Sequence, residues 1–139
     1  MGMNVQEILV TKEARFNLLA GLIRLAKCDE NIDNTEVVFY QQAAISFGLE
    51  EKFAEKLNDY WNGNDVIKVD FETRREKIFF FIQAIQLCWV DKEYVDKERE
   101  EVRKIAEELN IEEKVIESIE EWVFEGIVWN RKSENLLNL

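Results

Sequence analysis

A chain of 139 residues is long enough for one domain with a single core, and too short for two of ordinary size. Its net charge of −11 opposes binding to nucleic-acid phosphates or to an anionic membrane surface. It contains no histidine, so the commonest general base, the commonest transition-metal ligand and any Ser–His or Cys–His pair are missing, which points away from an enzyme.

There is also no proline, which favours a nearly all-helical chain with short joints. Over residues 8–26, Phe16, Leu19, Ile23 and Ala26 recur on one stripe with Leu18, Leu22 and Leu25 beside it, the pattern of one long amphipathic helix. Asp29-Glu30-Asn31-Ile32-Asp33-Asn34 breaks it. Asp33 followed by Glu36 reads as a capping-box variant that starts a second helix. Gly48 is placed to close that helix in a left-handed conformation. Glu50 and Glu51 suit the positive end of a third helix carrying Phe53, Leu57, Tyr60 and Trp61.

Asn62-Gly63-Asn64-Asp65 is the clearest turn, and Val66-Ile67-Lys68-Val69-Asp70 a short extended joint too isolated to form a sheet. Residues 71–90 then read as the most apolar helix, with Ile78-Phe79-Phe80-Phe81-Ile82 and Leu87-Cys88-Trp89-Val90 interrupted only by Gln83 and Gln86 around Ala84 and Ile85. Such a helix belongs at the centre of the core; its apolar run is too short for the roughly 20 residues that span a bilayer. A fifth helix uses Val102, Ile105, Ala106 and Leu109, with Asn110 in the capping role of Gly48. A sixth uses Val115, Ile116, Ile119, Trp122, Val123 and Ile127, and residues 128–139 form a short mixed tail.

The chain repeats itself. Asp29 and Asp91, Glu36 and Glu98, Leu49 and Ile111, and Lys52 and Lys114 are each separated by the same 62 residues that separate 29 from 91. The expected fold is therefore all-α: a single helical domain of two pseudo-repeated three-helix units, about 5–62 and 70–127, stacked so that each covers the other's apolar stripe.

Each copy carries an acidic loop: Asp29, Glu30, Asn31, Asp33 and Glu36 in the first, Asp91, Glu93, Asp96, Glu98 and Glu100 in the second. Without histidine the available donors are oxygens, which suit Ca²⁺ or Mg²⁺ rather than zinc. Asp29-x-Asn31-x-Asp33 opens like an EF-hand, but Asn34 stands where that loop needs Gly and Tyr40 where it needs a bidentate Glu, so an EF-hand is excluded. Capping is the other reading. Asp33 and Asp96 can cap the helices that follow, with Glu36 and Glu98 in first turns where the helix dipole favours negative charge.

Leu25-Ala26-Lys27-Cys28-Asp29-Glu30-Asn31-Ile32, Glu36 and then Phe47-Gly48-Leu49, matched by Leu87-Cys88-Trp89-Val90-Asp91, Glu98 and then Leu109-Asn110-Ile111, resemble the repeats of the tellurite-resistance TerB-like family. That family includes the N-terminal domain of membrane-anchored DnaJ-like (DjlA-type) co-chaperones. Its repeat looks like Ala-x-Ala-Asp-Gly-x-Ile-x-x-x-Glu followed by a helix ending near Leu-Gly-Leu, and the likeness covers about residues 14–125. The resemblance implies an all-α duplicated fold and an acidic surface for a divalent metal. The residues it carries over are Asp29, Glu36, Asp91 and Glu98, with Asp33 and Asp96 as neighbours. Glu30 and Lys92 stand where the family has Gly, and Lys92 makes the second loop the weaker half.

The expected role is a non-enzymatic stress-response or signalling module that binds a divalent cation or a protein partner through these loops. The alternative is a structural helical adaptor without a metal site. The N-terminus shows no basic and apolar leader pattern, and a cytoplasmic setting is expected. Trp89, Tyr94, Trp122 and Trp129 read as core or core-edge residues. The many glutamates of residues 98–125 read as a solvated face eased by Arg99, Arg103, Lys104 and Lys114 at helical spacing. Cys28 and Cys88 read as buried thiols rather than metal ligands or reactive groups.

Overall fold

The computed structural model describes residues 5–28, 34–91 and 94–139, and at Val90 and Asp91 the backbone alone. Among the described residues the chain is all-helical: α1 (Val5–Ile8), α2 (Lys12–Cys28), α3 (Asn34–Ser46), α4 (Glu51–Asn62), α5 (Arg74–Asp91), α6 (Asp96–Glu108) and α7 (Glu113–Leu137). None of the described helices is long and apolar enough to cross a membrane.

The first helix is not continuous, as its periodicity suggested. It breaks after Ile8 and restarts at Lys12. Thr11 is the reason: its Oγ1 accepts the Ala14 N–H at 3.1 Å, which caps α2. The carbonyls left over by the break are taken up by one side chain. The Arg15 guanidinium donates to the carbonyls of Leu9 (2.8 Å), Val10 (3.2 Å) and, across the chain, Phe47 (3.1 Å). Buried Leu9 is thereby held against the core. The expected tail is also helical: α7 runs on to Leu137, and residues 129–139 are all exposed.

Much of the local bonding occurs twice, at positions 62 residues apart. Thr73 caps α5 as Thr11 caps α2, its Oγ1 accepting the Glu76 N–H at 3.1 Å. Lys77, at the position matching Arg15, donates to the Leu109 carbonyl, which matches Phe47. Lys12 pairs with Glu50 and Arg74 with Glu112. Helices α3 and α6 end in the same way: Gly48 and Asn110 have φ of 72° and 58°. Their N–H groups donate to Ile45 and Glu107, while Leu49 and Ile111 donate to Ala44 and Ala106. This is the bond pair of a Schellman ending, which requires a left-handed residue and so favours Gly or Asn. Glu50 and Glu112 then start α4 and α7 from extended backbone.

Helices α2 and α5 pack against each other at the centre; α4 lies on α2, α7 on α5, and α6 bridges α2 and α7. Phe80, Phe81, Ile23, Ile85, Leu19 and Ile105 are fully buried there, each worth roughly 1.5–3 kcal/mol of transfer free energy. The crossing is close because α2 presents Gly21, where a Cβ would fall within 2.6 Å of Phe80 Cζ. Phe80 cannot easily yield, since its ring is wedged between Phe71 (5.6 Å) and Phe81 (5.1 Å). The joint after α4 contributes too: Ile67, Val69 and Phe71 are buried alternately with exposed neighbours, as an extended segment lying on a core requires.

Candidate functional site

The six acidic residues singled out from the sequence fall into three groups. Asp29 and Asp33 lie outside the described residues, and Asp91 ends α5 with its side chain outside the description. Glu36 is the third residue of α3 and half-buried. Asp96 and Glu98 are the first and third residues of α6, so Glu36 and Glu98 occupy matching places in helices that begin 62 residues apart. Among the described residues, no three His, Cys, Asp or Glu side chains converge as metal ligands would.

Asp96 is not the cap of α6. The cap is Val95, extended at φ −85° and ψ 164°, and Asp96 is already helical and exposed. Valine has no side-chain acceptor, so the start of α6 is secured from the other direction: Glu98 Oε1 accepts the Val95 N–H at 3.1 Å. That is the glutamate half of a capping box. Glu98 therefore has a structural use in starting α6.

The electrostatics around the second loop centre on α6 and α7. The Arg103 guanidinium grips Glu120 with two bonds of 2.8 and 2.7 Å and donates to Glu113 at 2.9 Å. Arg99 lies 3.5 Å from Glu120 and stacks 4.2 Å over the ring of buried Tyr94. Burial acts to raise the Glu120 pKa, but Arg103, Tyr94 and Arg99 together hold it below its ordinary value. Burial, and then the Glu120 carboxylate, push the Tyr94 phenol up, so it stays protonated. Two arginines thus follow Glu98 within its own helix. The matching positions after Glu36 are Val37 and Gln41, which bring no positive charge.

A second arginine centre escaped the sequence reading. Arg24 of α2 donates to Glu101 at 2.6 Å, to both Glu108 oxygens at 3.0 and 2.6 Å, and to the Ile67 carbonyl at 3.2 Å. It ties α2, α6 and the joint together with its side chain only 14% exposed. The hydrogen bond to Glu108 is the main cause of its raised pKa. The available signal was a lone cation set between Ile23 and Leu25 in an otherwise apolar stripe. The reading of the glutamates as a face eased within single helices also needs amendment, because the glutamates that Arg103 bonds, Glu113 and Glu120, belong to α7 and not to its own helix α6.

The aromatic residues divide. Tyr94 is buried and Trp89 half-buried, packed 5.7 Å from Phe124, whereas Trp122 and Trp129 are exposed rather than core residues. Cys88 is buried and Cys28 half-buried. In comparisons with known proteins, this chain matches no family model, and no curated protein or solved structure gives a match.

Proposed function

We propose that this chain is a non-enzymatic, TerB-like stress-response or signalling module of two three-helix units, 5–62 and 70–127. It binds a divalent cation, Ca²⁺ or Mg²⁺, or a protein partner through its paired acidic loops, the cation chiefly through the first. The observation that carries the reading is the matched placement of Glu36 and Glu98 in the first turns of α3 and α6, each just past an acidic loop. The paired caps, the paired Arg15–Phe47 and Lys77–Leu109 bonds and the paired Lys12–Glu50 and Arg74–Glu112 bridges support the two-unit reading.

The two loops are unequal. In the second, Glu98 is engaged by the Val95 N–H, Lys92 follows Asp91, and Arg99 and Arg103 stand behind. The first has Asp29, Asp33 and Glu36 with no cation among the residues from 29 to 46, so a hard divalent ion is better served there. Thermal unfolding with millimolar Ca²⁺ or Mg²⁺ tests this. A ligand at 100 times its Kd adds about 2.7 kcal/mol, several degrees for a domain of this size. Asp29→Asn and Glu36→Gln should abolish the shift. Glu98→Ala, which removes the acceptor for the Val95 N–H, should lower the starting stability by about 1 kcal/mol yet leave the shift in place.

The alternative, a structural adaptor whose carboxylates only secure helix starts, is favoured by one specific observation: the Glu98–Val95 bond. A protein whose Tm ignores both ions supports it and ends the cation reading.

A further inference from the structure

From Trp122 onward α7 carries an apolar stripe that the bundle leaves exposed, continuing a line begun by Val115 at the edge of the core. Val115, Trp122, Trp129 and Leu136 recur every seven residues of this helix, a spacing that keeps them on one side. Trp122 is 52%, Trp129 70% and Leu136 68% exposed. The stripe begins in an open groove of about 570 Å³ between α5 and α7, lined by Ile82, Val115, Ile119 and Trp122.

Gly126 lies on the same side, between Trp122 and Trp129. A glycine inside an exposed helix costs about 1 kcal/mol relative to Ala. Among the described residues nothing requires it: none of their atoms lies within 4 Å of where its Cβ would stand. Close approach of a second helix is a reason to keep the position small.

Charge selects the occupant. The first part of α7 is net acidic, with Glu117, Glu121 and Glu125 outweighing Lys114, while its later part is net basic, with Arg131 and Lys132 outweighing Glu134. Two α7 helices laid parallel would set these like charges side by side. Laid antiparallel about Gly126, they place Lys132 beside Glu121 of the second copy, Trp122 against Trp129 and Leu136 in the groove at Val115 and Ile82. The two apolar matches fall in one register, and in it Lys132 lies two residues, about 3 Å along the axis, from the level of Glu121, within reach of its long side chain. We propose that α7 is a self-association surface, on which a second copy of this chain packs antiparallel through Trp122, Gly126, Trp129 and Leu136.

Sedimentation velocity on the full chain across a concentration series, in about 0.15 M salt so that long-range repulsion between chains of charge −11 is screened, tests this. The expected result is a reversible dimer. Trp129→Glu and Leu136→Glu, both on exposed residues, should give monomers with unchanged helicity by circular dichroism. Lys132→Glu should weaken the dimer roughly tenfold through its two symmetric pairs, and adding Glu121→Lys should restore it. A chain that stays monomeric throughout the series overturns the proposal. So does a dimer indifferent to Trp129→Glu, or one that Lys132→Glu leaves at full strength.

Discussion

At their described helix ends, residues 11–62 and 73–124 use the same backbone bonds at matching positions, but they use different side chains to join their last two helices. Between α3 and α4 the polar link at one such pair of positions is neutral, Gln41 Nε2 to Asn58 Oδ1 at 3.2 Å, exposed to solvent. Between α6 and α7 the same two positions hold Arg103 and Glu120, bonded twice and supported by Arg99 and Glu113. The ends differ as well. Lys27 donates to the carbonyls of Tyr60 and Gly63, where α4 stops. Trp89 occupies the matching position beside Phe124, and α7 continues. Helix starts and stops leave backbone groups that need particular partners, so they permit few solutions. Contacts between helix faces permit many.

The sharpest break in the symmetry is at the centre, where Gly21 receives Phe80 while the matching residues are Gln83 and Leu18. Phe80→Ala should cost about 3–5 kcal/mol in urea unfolding. Gly21→Ala should cost about 1–3 kcal/mol by overpacking, and clearly less in a Phe80→Leu background, where the ring is gone. Additive costs would mean that Gly21 is not shaped around that ring.

Next in size is the contrast between the two cross-links. Glu120→Gln should lose about 2 kcal/mol, as expected for a charge-assisted and largely buried bond, whereas Asn58→Ala should lose a few tenths. The pH dependence carries the same contrast. Glu120 and Glu108 have folded pKa values below their unfolded ones. Their contribution is present above the ordinary carboxylate value of about 4.3. It is lost as pH falls through the lower folded values, because the unfolded chain then binds more protons. The melting temperature should therefore drop between pH 5 and 3, and drop less for Glu120→Gln. Equal sensitivity at residues 58 and 120 would remove the distinction between the halves.

The smallest effects test the similarity itself. Thr11→Ala and Thr73→Ala each delete one cap bond of 3.1 Å and should each cost about 1 kcal/mol. A large difference between them would show that the two helix starts are alike in geometry only.

Helix identity was legible where local chemistry settles it. Gly48 and Asn110 end their helices as anticipated, and the apolar run around Phe80 is central. The break at residues 9–11 was missed although its cap, Thr11, is local; what periodicity does not show is Arg15 gathering the freed carbonyls together with that of Phe47, 32 residues away. Asp96 was misplaced as a cap because a capping preference names a residue type, while the position was decided by Glu98 reaching back to Val95. Trp122 and Trp129 were read as core or core-edge because helical spacing defines a stripe without saying which stripe faces inward.

Sequence alone determined what depends on neighbours along the chain: the all-helical character, the left-handed helix endings, the recurrence at 62 residues and the acidity of both loops. Only the tertiary structure decided which helix faces meet, that Gly21 makes room for Phe80, that Arg24 and Arg103 join separate helices, and that one side of α7 faces solvent. The reason is that caps and turns close through bonds a few residues apart. Burial and ion pairing between α2, α6 and α7 depend on groups up to 84 residues apart, whose meeting is set by packing the whole core at once.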